Sequence, residues 1–131
     1  MIYLHTSATV KLVAAEAESP ALMDWLNARP DQHLVTSTVG QIELIRAAAR
    51  IGPAAVAVAR NVASTIDSLV LTEAIAAAAA TILRTDLRAL DAIHLATAHS
   101  QRHHLVAFCA YDRRLLQAAA AQGLPTVCPL R

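Results

Sequence analysis

The chain has 131 residues with a formal net charge of +1 at pH 7, and 56% of its residues are hydrophobic. This length supports one domain with its own core and is too short for two, so we expect a single domain over residues 1–131. The balanced charge excludes the strong overall basic field of many nucleic-acid-binding domains, so that any such contact has to rely on local groups of arginines.

The pattern of apolar and polar residues predicts strands that alternate with helices. Short apolar runs predict strands at 2–4, 33–36, 66–71, 105–109 and 126–128. Helical periodicity, with capping residues and Pro or Gly breaks, predicts helices at 8–15, 20–29, 39–51, 54–63, 73–83, 91–101 and 113–122. This alternation indicates an α/β fold with helices on both faces of a parallel sheet of four to five short strands.

Three further features predict a cytoplasmic protein. No uninterrupted apolar stretch reaches the roughly 18 residues of a membrane span, and the chain opens on an apolar strand without a signal-peptide pattern. Cys109 and Cys128 lie in strand-like runs without a CxxC spacing, which fits buried thiols in a reducing compartment. The surplus of apolar residues also favours an oligomer or a bound partner.

Two aspartates fall where a predicted helix begins. Asp112 follows the fourth predicted strand directly, and Asp91 lies in the first turn of its helix. Each has an ordinary structural interpretation, because aspartate is a preferred helix cap and is stabilised at the positive end of a helix.

One glutamate lies a turn into the helix that follows the second predicted strand. Glu43 is predicted to lie off the apolar side formed by Ile42, Ile45 and Ala49. Its ordinary interpretation is a solvated ion pair with Arg46, three residues further along the helix.

Taken together, the three acidic residues predict a different role. The carboxyl ends of parallel strands meet at one edge of a sheet, and carboxylates that converge there bind a hard divalent cation such as Mg²⁺ or Mn²⁺. Such ions bring a nucleophilic water and a phosphodiester into line. The glycine-rich motifs of dinucleotide-binding and P-loop proteins and the G-x-S-x-G elbow of hydrolases are absent from the sequence.

Four segments resemble the PIN-domain ribonuclease toxins of the VapC type, the toxic half of VapBC toxin–antitoxin pairs. The segments are MIYLHTSATVKL at 1–12, VTSTVGQIELIRA at 35–47, LRALDAIHLATA at 87–98 and FCAYDRRLLQAA at 108–119. Their order and spacing agree with the family over nearly the whole length. The resemblance implies a three-layer α/β/α PIN-like domain with a central parallel sheet, and an endonucleolytic ribonuclease that depends on Mg²⁺ or Mn²⁺.

The resemblance also assigns roles to individual residues and to partners. It implies that Glu43, Asp91 and Asp112 form the acidic catalytic and metal site, with Thr6 and Ser7 as polar neighbours at the pocket floor. A cognate VapB-type antitoxin is expected to block that pocket, and the toxin is expected to form a homodimer. The arginines predicted to hold the RNA backbone are Arg46, Arg88, Arg113 and Arg114.

The sequence departs from the family pattern at two positions. His5 stands where the family has its first aspartate, and Ala110 stands where a Thr or Ser is usual. In one interpretation His5 is a functional fourth metal ligand with an altered metal preference, since imidazole suits Zn²⁺, Mn²⁺ or Ni²⁺ better than Mg²⁺. In the other, which we favour, loss of the carboxylate impairs the site.

Two alternative functions remain open from the sequence. The chain can be a catalytically inactive module that keeps the fold in order to bind an antitoxin. A small-molecule enzyme on a generic α/β sheet is the third hypothesis, since one fold hosts many functions.

Overall fold

Residues 1–130, which the computed structural model describes, contain one parallel five-stranded sheet. The strands are β1 (Ile2–Leu4), β2 (Leu34–Ser37), β3 (Asp67–Leu69), β4 (Ala107–Cys109) and β5 (Thr126–Val127). Their order in the sheet is β3-β2-β1-β4-β5, and every neighbouring pair is parallel. The first strand is therefore central, and the residues that follow it lie at the middle of the carboxyl edge.

Helices connect the strands and cover both faces of the sheet. They are α1 (Thr6–Thr9), α2 (Ser19–Asn27), α3 (Thr38–Ile51), α4 (Pro53–Ser64), α5 (Glu73–Ala80), α6 (Ala89–Ser100) and α7 (Arg113–Ala121). Side-chain caps define several starts: the Ser37 hydroxyl accepts from Gly40 N–H at 2.9 Å and the Thr72 hydroxyl accepts from Ile75 N–H at 3.1 Å. The predicted three-layer α/β/α class is confirmed.

The core lies on both faces of the central strand. Side chains alternate across β1, so that Tyr3 joins the cluster containing Leu95 of α6, whereas Ile2 and Leu4 join the cluster containing Leu22 of α2. All five side chains are fully buried. A strand that is apolar on both faces is the pattern expected in the middle of a parallel sheet.

Two predicted details are wrong at the first and third helices. Instead of spanning 8–15, α1 begins at Thr6 because the His5 ring accepts the Ser7 N–H as a cap, and it passes into a 3-10 turn at Val10–Leu12. The buried side of α3 is not the one with Ile42, which is 56% exposed. Leu44 and Ala48 are buried instead, because they pack against α4.

Both cysteines are free thiols, but the prediction that they are buried holds only for Cys109. Cys109 is buried in β4, and Cys128 is partly exposed just after β5. Burial raises the pKa of the Cys109 thiol to about 12, so that it remains protonated at neutral pH. Among the described helices, none is long and apolar enough to cross a membrane.

Candidate functional site

The polar residues expected at the carboxyl edge of the sheet do gather there. His5, Thr6 and Ser7 follow β1 at the start of α1, in the middle of the edge. The neighbouring strands β2 and β4 lead into Glu43 on α3 and Asp112 at the start of α7. Two parallel neighbours thus place their following segments on either side of the same turn.

One hydrogen-bonded chain links the turn after β1 to Asp91. The Tyr111 backbone N–H donates to the Ser7 hydroxyl at 2.8 Å, and Ser7 Oγ lies 2.8 Å from His5 Nδ1. His5 Nε2 lies 2.9 Å from Asp91 Oδ1. The residue that departs from the family pattern is therefore in direct contact with one of the proposed acidic residues.

A second chain links the core to Glu43. The Tyr3 hydroxyl lies 2.7 Å from His94 Nδ1, and His94 Nε2 lies 2.6 Å from Glu43 Oε1. The Thr6 hydroxyl donates to the same glutamate oxygen at 2.7 Å. Tyr3 and His94 are fully buried, so this chain runs from the interior to a partly exposed carboxylate.

The contacts determine the charge of both carboxylates. The hydrogen bond from His5 holds the pKa of Asp91 below its usual range. Burial by itself would raise the pKa of Glu43, but the hydrogen bonds from His94 and Thr6 outweigh it and lower that pKa. Burial lowers the pKa of His94 and favours its neutral form. Both carboxylates are therefore ionised at neutral pH.

The acidic residues line two adjacent clefts. Ser7, Asp91 and Asp112 line a cleft of about 620 Å³, whereas Thr6 and Glu43 line a cleft of about 400 Å³. Each cleft has its own arginines, which are Arg88, Arg113 and Arg114 in the larger one and Arg46 and Arg50 in the smaller one. All four arginines that were predicted to contact RNA therefore lie at the site.

The comparison with known proteins decides the family. The family model of the PIN domain matches residues 2–121. The chain belongs to the PIN-domain family. It is 43% identical over 132 residues to ribonuclease VapC47 of Mycobacterium tuberculosis strain CDC 1551 / Oshkosh, with 98% of this chain and 97% of that protein covered. Ribonuclease VapC35 of Mycobacterium tuberculosis strain H37Rv is 41% identical over 131 residues, and VapC46 of the same strain is 37% identical over 128 residues, each with 98% of this chain and 97% of the relative covered.

The donor set of this PIN domain does not fit a divalent cation in its present arrangement. Within residues 1–130, no three His, Cys, Asp or Glu side chains converge closely enough to hold a metal ion. Asp91 Oδ1 is in contact with His5 and Glu43 Oε1 with His94, and Asp112 Oδ1 accepts the Leu115 N–H at 3.1 Å. The carboxylates are of the right chemical kind, but one oxygen of each is engaged by a protein donor.

The structure supports some ordinary interpretations of the acidic residues and not others. Asp112 caps α7, as the sequence predicts. The hydrogen bonds of Glu43 within the described residues go to Thr6 and His94, and not to Arg46. Asp91 lies in the first turn of its helix, but its side chain reaches across to His5.

Sequence reasoning missed His94 as a residue of this PIN domain's site. The available signal was its position on α6, three residues after Asp91 and hence on the same helix face. Tyr3 was also missed, because a tyrosine in an apolar strand is interpreted as a residue of the hydrophobic core. Its hydroxyl partner comes from 91 residues further along the chain.

A glycine on α3 permits the close approach of His94. A Cβ at Gly40 would overlap the Thr36 hydroxyl and lie 3.0 Å from His94 Cε1. Helix propensity alone would make Gly40→Ala stabilising by about 1 kcal/mol. We expect the opposite sign, with the free energy of unfolding lowered by about 1–3 kcal/mol through overpacking. Urea unfolding measures this change in the free energy of unfolding. Ala49→Gly, at an exposed position of the same helix, is the control for helix propensity. A Gly40→Ala protein as stable as the parent contradicts the tight contact.

Proposed function

We propose that this PIN domain is the toxin of a type II toxin–antitoxin system, an endoribonuclease whose activity is impaired by His5. The observation that carries the proposal is the gathering of ionised Asp91 and Glu43 at one sheet edge, with arginines in the clefts on either side. The relatives that the chain matches over nearly its whole length are named ribonucleases, which supports the same activity.

The arginines are proposed to hold the RNA strand. A guanidinium binds phosphate oxygens through two parallel N–H donors, which fixes the position of a strand without reading its bases. Arg88, Arg113 and Arg114 lie in the cleft that also contains Asp91 and Asp112. A phosphodiester held there lies beside two carboxylates, which can orient an attacking water and accept its proton.

Cleavage is proposed to depend on Mg²⁺ or Mn²⁺, because VapC ribonucleases of this family generally use divalent metal ions, and to be weak because the donors within residues 1–130, as they now stand, do not fit such an ion. We assign Glu43, Asp91 and Asp112 as the acidic residues of the proposed cation site. The contact of His5 with Asp91 is the reason that we expect weak activity from the chain as it stands.

The family also supports partners for the chain. We propose RNA as its substrate and a VapB-type antitoxin as the protein that blocks the acidic clefts. A homodimer is proposed from the resemblance, and exposed apolar side chains such as Leu83 and Val70 provide surface for such contacts.

A matched pair of proteins tests the ribonuclease activity. Purified parent protein is expected to cleave tRNA or rRNA weakly with Mn²⁺ or Mg²⁺, and Asp91→Asn is expected to abolish that cleavage. The asparagine keeps the shape of the side chain and removes the charge, so mapped cleavage products measure the role of the carboxylate. Unchanged cleavage by Asp91→Asn contradicts the assignment of the site.

One observation favours a second candidate function. The His5 ring engages Asp91 while the PIN fold is kept, as expected of a module that only binds an antitoxin. Two results together identify this function. The chain forms a tight complex with an antitoxin encoded by a neighbouring gene, and even the His5→Asp protein does not cleave RNA.

A further inference from the structure

Two histidines stand between the core and the acidic residues of this site. The His5 and His94 rings pack edge to face, with centroids 4.5 Å apart and planes at 72°. Each ring contacts a different carboxylate, His5 contacting Asp91 and His94 contacting Glu43. The two carboxylates are therefore joined through a pair of imidazoles.

The protonated nitrogen of His5 follows from its partners. Ser7 backbone N–H, which can only donate, lies 3.2 Å from His5 Nδ1. The Ser7 hydroxyl accepts from Tyr111 N–H and has its own proton free for the same nitrogen. Nδ1 therefore carries a lone pair, and the N–H of the ring lies on Nε2, facing Asp91.

The protonated nitrogen of His94 follows in the same way. Glu43 is an ionised acceptor, so the ring nitrogen beside it, Nε2, must donate. On the opposite side, the buried Tyr3 hydroxyl lies 2.7 Å from Nδ1 and donates to it. Both rings thus present an N–H to a carboxylate and turn their lone pairs away from it.

We propose that the Nε2–H groups of His5 and His94 hold Asp91 and Glu43 in place of a divalent cation, so that the native site is satisfied without a metal ion. The inference deepens the proposed function, since it explains why a ribonuclease site of this family would be impaired. It also assigns His5 a role other than that of a metal ligand, because its lone pair is used by Ser7 and α1.

The hydrogen bonds from Ser7 oppose a change in the tautomer of His5. For Nε2 to ligate a cation, His5 has to move its proton to Nδ1 and lose the two donors from Ser7. That would leave the backbone N–H of Ser7 without the acceptor that caps α1, and an unsatisfied donor destabilises the folded chain. A cation that approaches Asp91 Oδ1 from the side of His5 would meet an N–H proton.

The experiment reads the ring nitrogens directly by NMR. The uniformly ¹⁵N-labelled chain is examined through the long-range couplings of its histidine rings, and His5→Asp and His94→Gln assign the signals. Both rings are expected in the Nε2–H tautomer, unchanged by millimolar Mg²⁺ or by Zn²⁺. His103 and His104, which are exposed, serve as internal controls for a freely exchanging ring.

Cation binding provides the second measurement. His5→Asp is expected to bind Mn²⁺ at least about 10-fold more tightly than the parent protein in a titration without RNA. An Nδ1–H tautomer for His5 or His94, a shift of either ring on adding Mg²⁺ or Zn²⁺, or equal Mn²⁺ affinity of the two proteins overturns the proposal. Since neither measurement uses RNA, absence of ribonuclease activity contradicts the proposed function and leaves this result standing.

Discussion

Replacing His5 with aspartate is expected to raise RNA cleavage by this chain at least about 100-fold with Mg²⁺ or Mn²⁺. The substitution removes the N–H that faces Asp91 and adds a carboxylate at the middle of the sheet edge. Oxygen ligands of this kind are what these cations prefer. Initial cleavage rates of end-labelled tRNA and rRNA substrates measure the effect, and toxicity on expression is expected to rise in parallel.

The matched control for this substitution is His5→Asn. Asparagine has the size of aspartate and also removes the imidazole, but it adds no negative charge. We expect His5→Asn to remain as weak as the parent. Equal gains for the two variants would assign the effect to removal of the ring alone, and no gain for His5→Asp with either metal, across tRNA and rRNA, counts against an impaired ribonuclease.

The second large effect separates the two roles of Asp112. In the His5→Asp protein, Asp112→Asn is expected to reduce cleavage about 100-fold without changing stability, because asparagine caps helices as well as aspartate does. Asp112→Ala is expected to lose the same activity and also about 1 kcal/mol of stability, since the bond to the Leu115 N–H is removed.

Two measurements on the same preparations check this prediction. Cleavage rates report the carboxylate charge, and urea unfolding reports the cap at the start of α7. If Asp112→Asn retains full activity, Asp112 acts only as a helix cap and has to be removed from the proposed acidic site. If Asp112→Asn is as unstable as Asp112→Ala, the capping contact has been misjudged.

Local sequence signals predicted the fold well because they depend on short-range physics. A strand that is apolar on both faces, such as the one containing Tyr3, has to be covered on both sides, and together with the alternation of strands and helices this indicates a layered α/β fold. Capping residues such as Ser37, Thr72 and Asp112 marked helix starts close to the observed positions. The prediction was wrong at α1, because the cap there is the ring of His5 and not a usual capping side chain.

Predictions of side-chain partners were less successful because partners come from distant parts of the chain. Glu43 had a local candidate partner in Arg46, but its contacts are Thr6 and His94, which lie 37 and 51 residues away. The buried side of α3 was misassigned for the same reason. Which helix face is buried depends on where α4 packs, and the apolar residues of α3 occur on more than one face.

The sequence by itself determined the layered parallel fold, the family and the acidic residues at its carboxyl edge, because periodicity, caps and motifs are local properties. It also identified His5 as one of two departures from the family pattern. Only the tertiary structure decided what His5 does there. Its ring lies between Ser7 and Asp91, beside His94, and those contacts determine where its proton lies. The direction of a hydrogen bond depends on all the partners of a side chain, and they meet only in the folded chain.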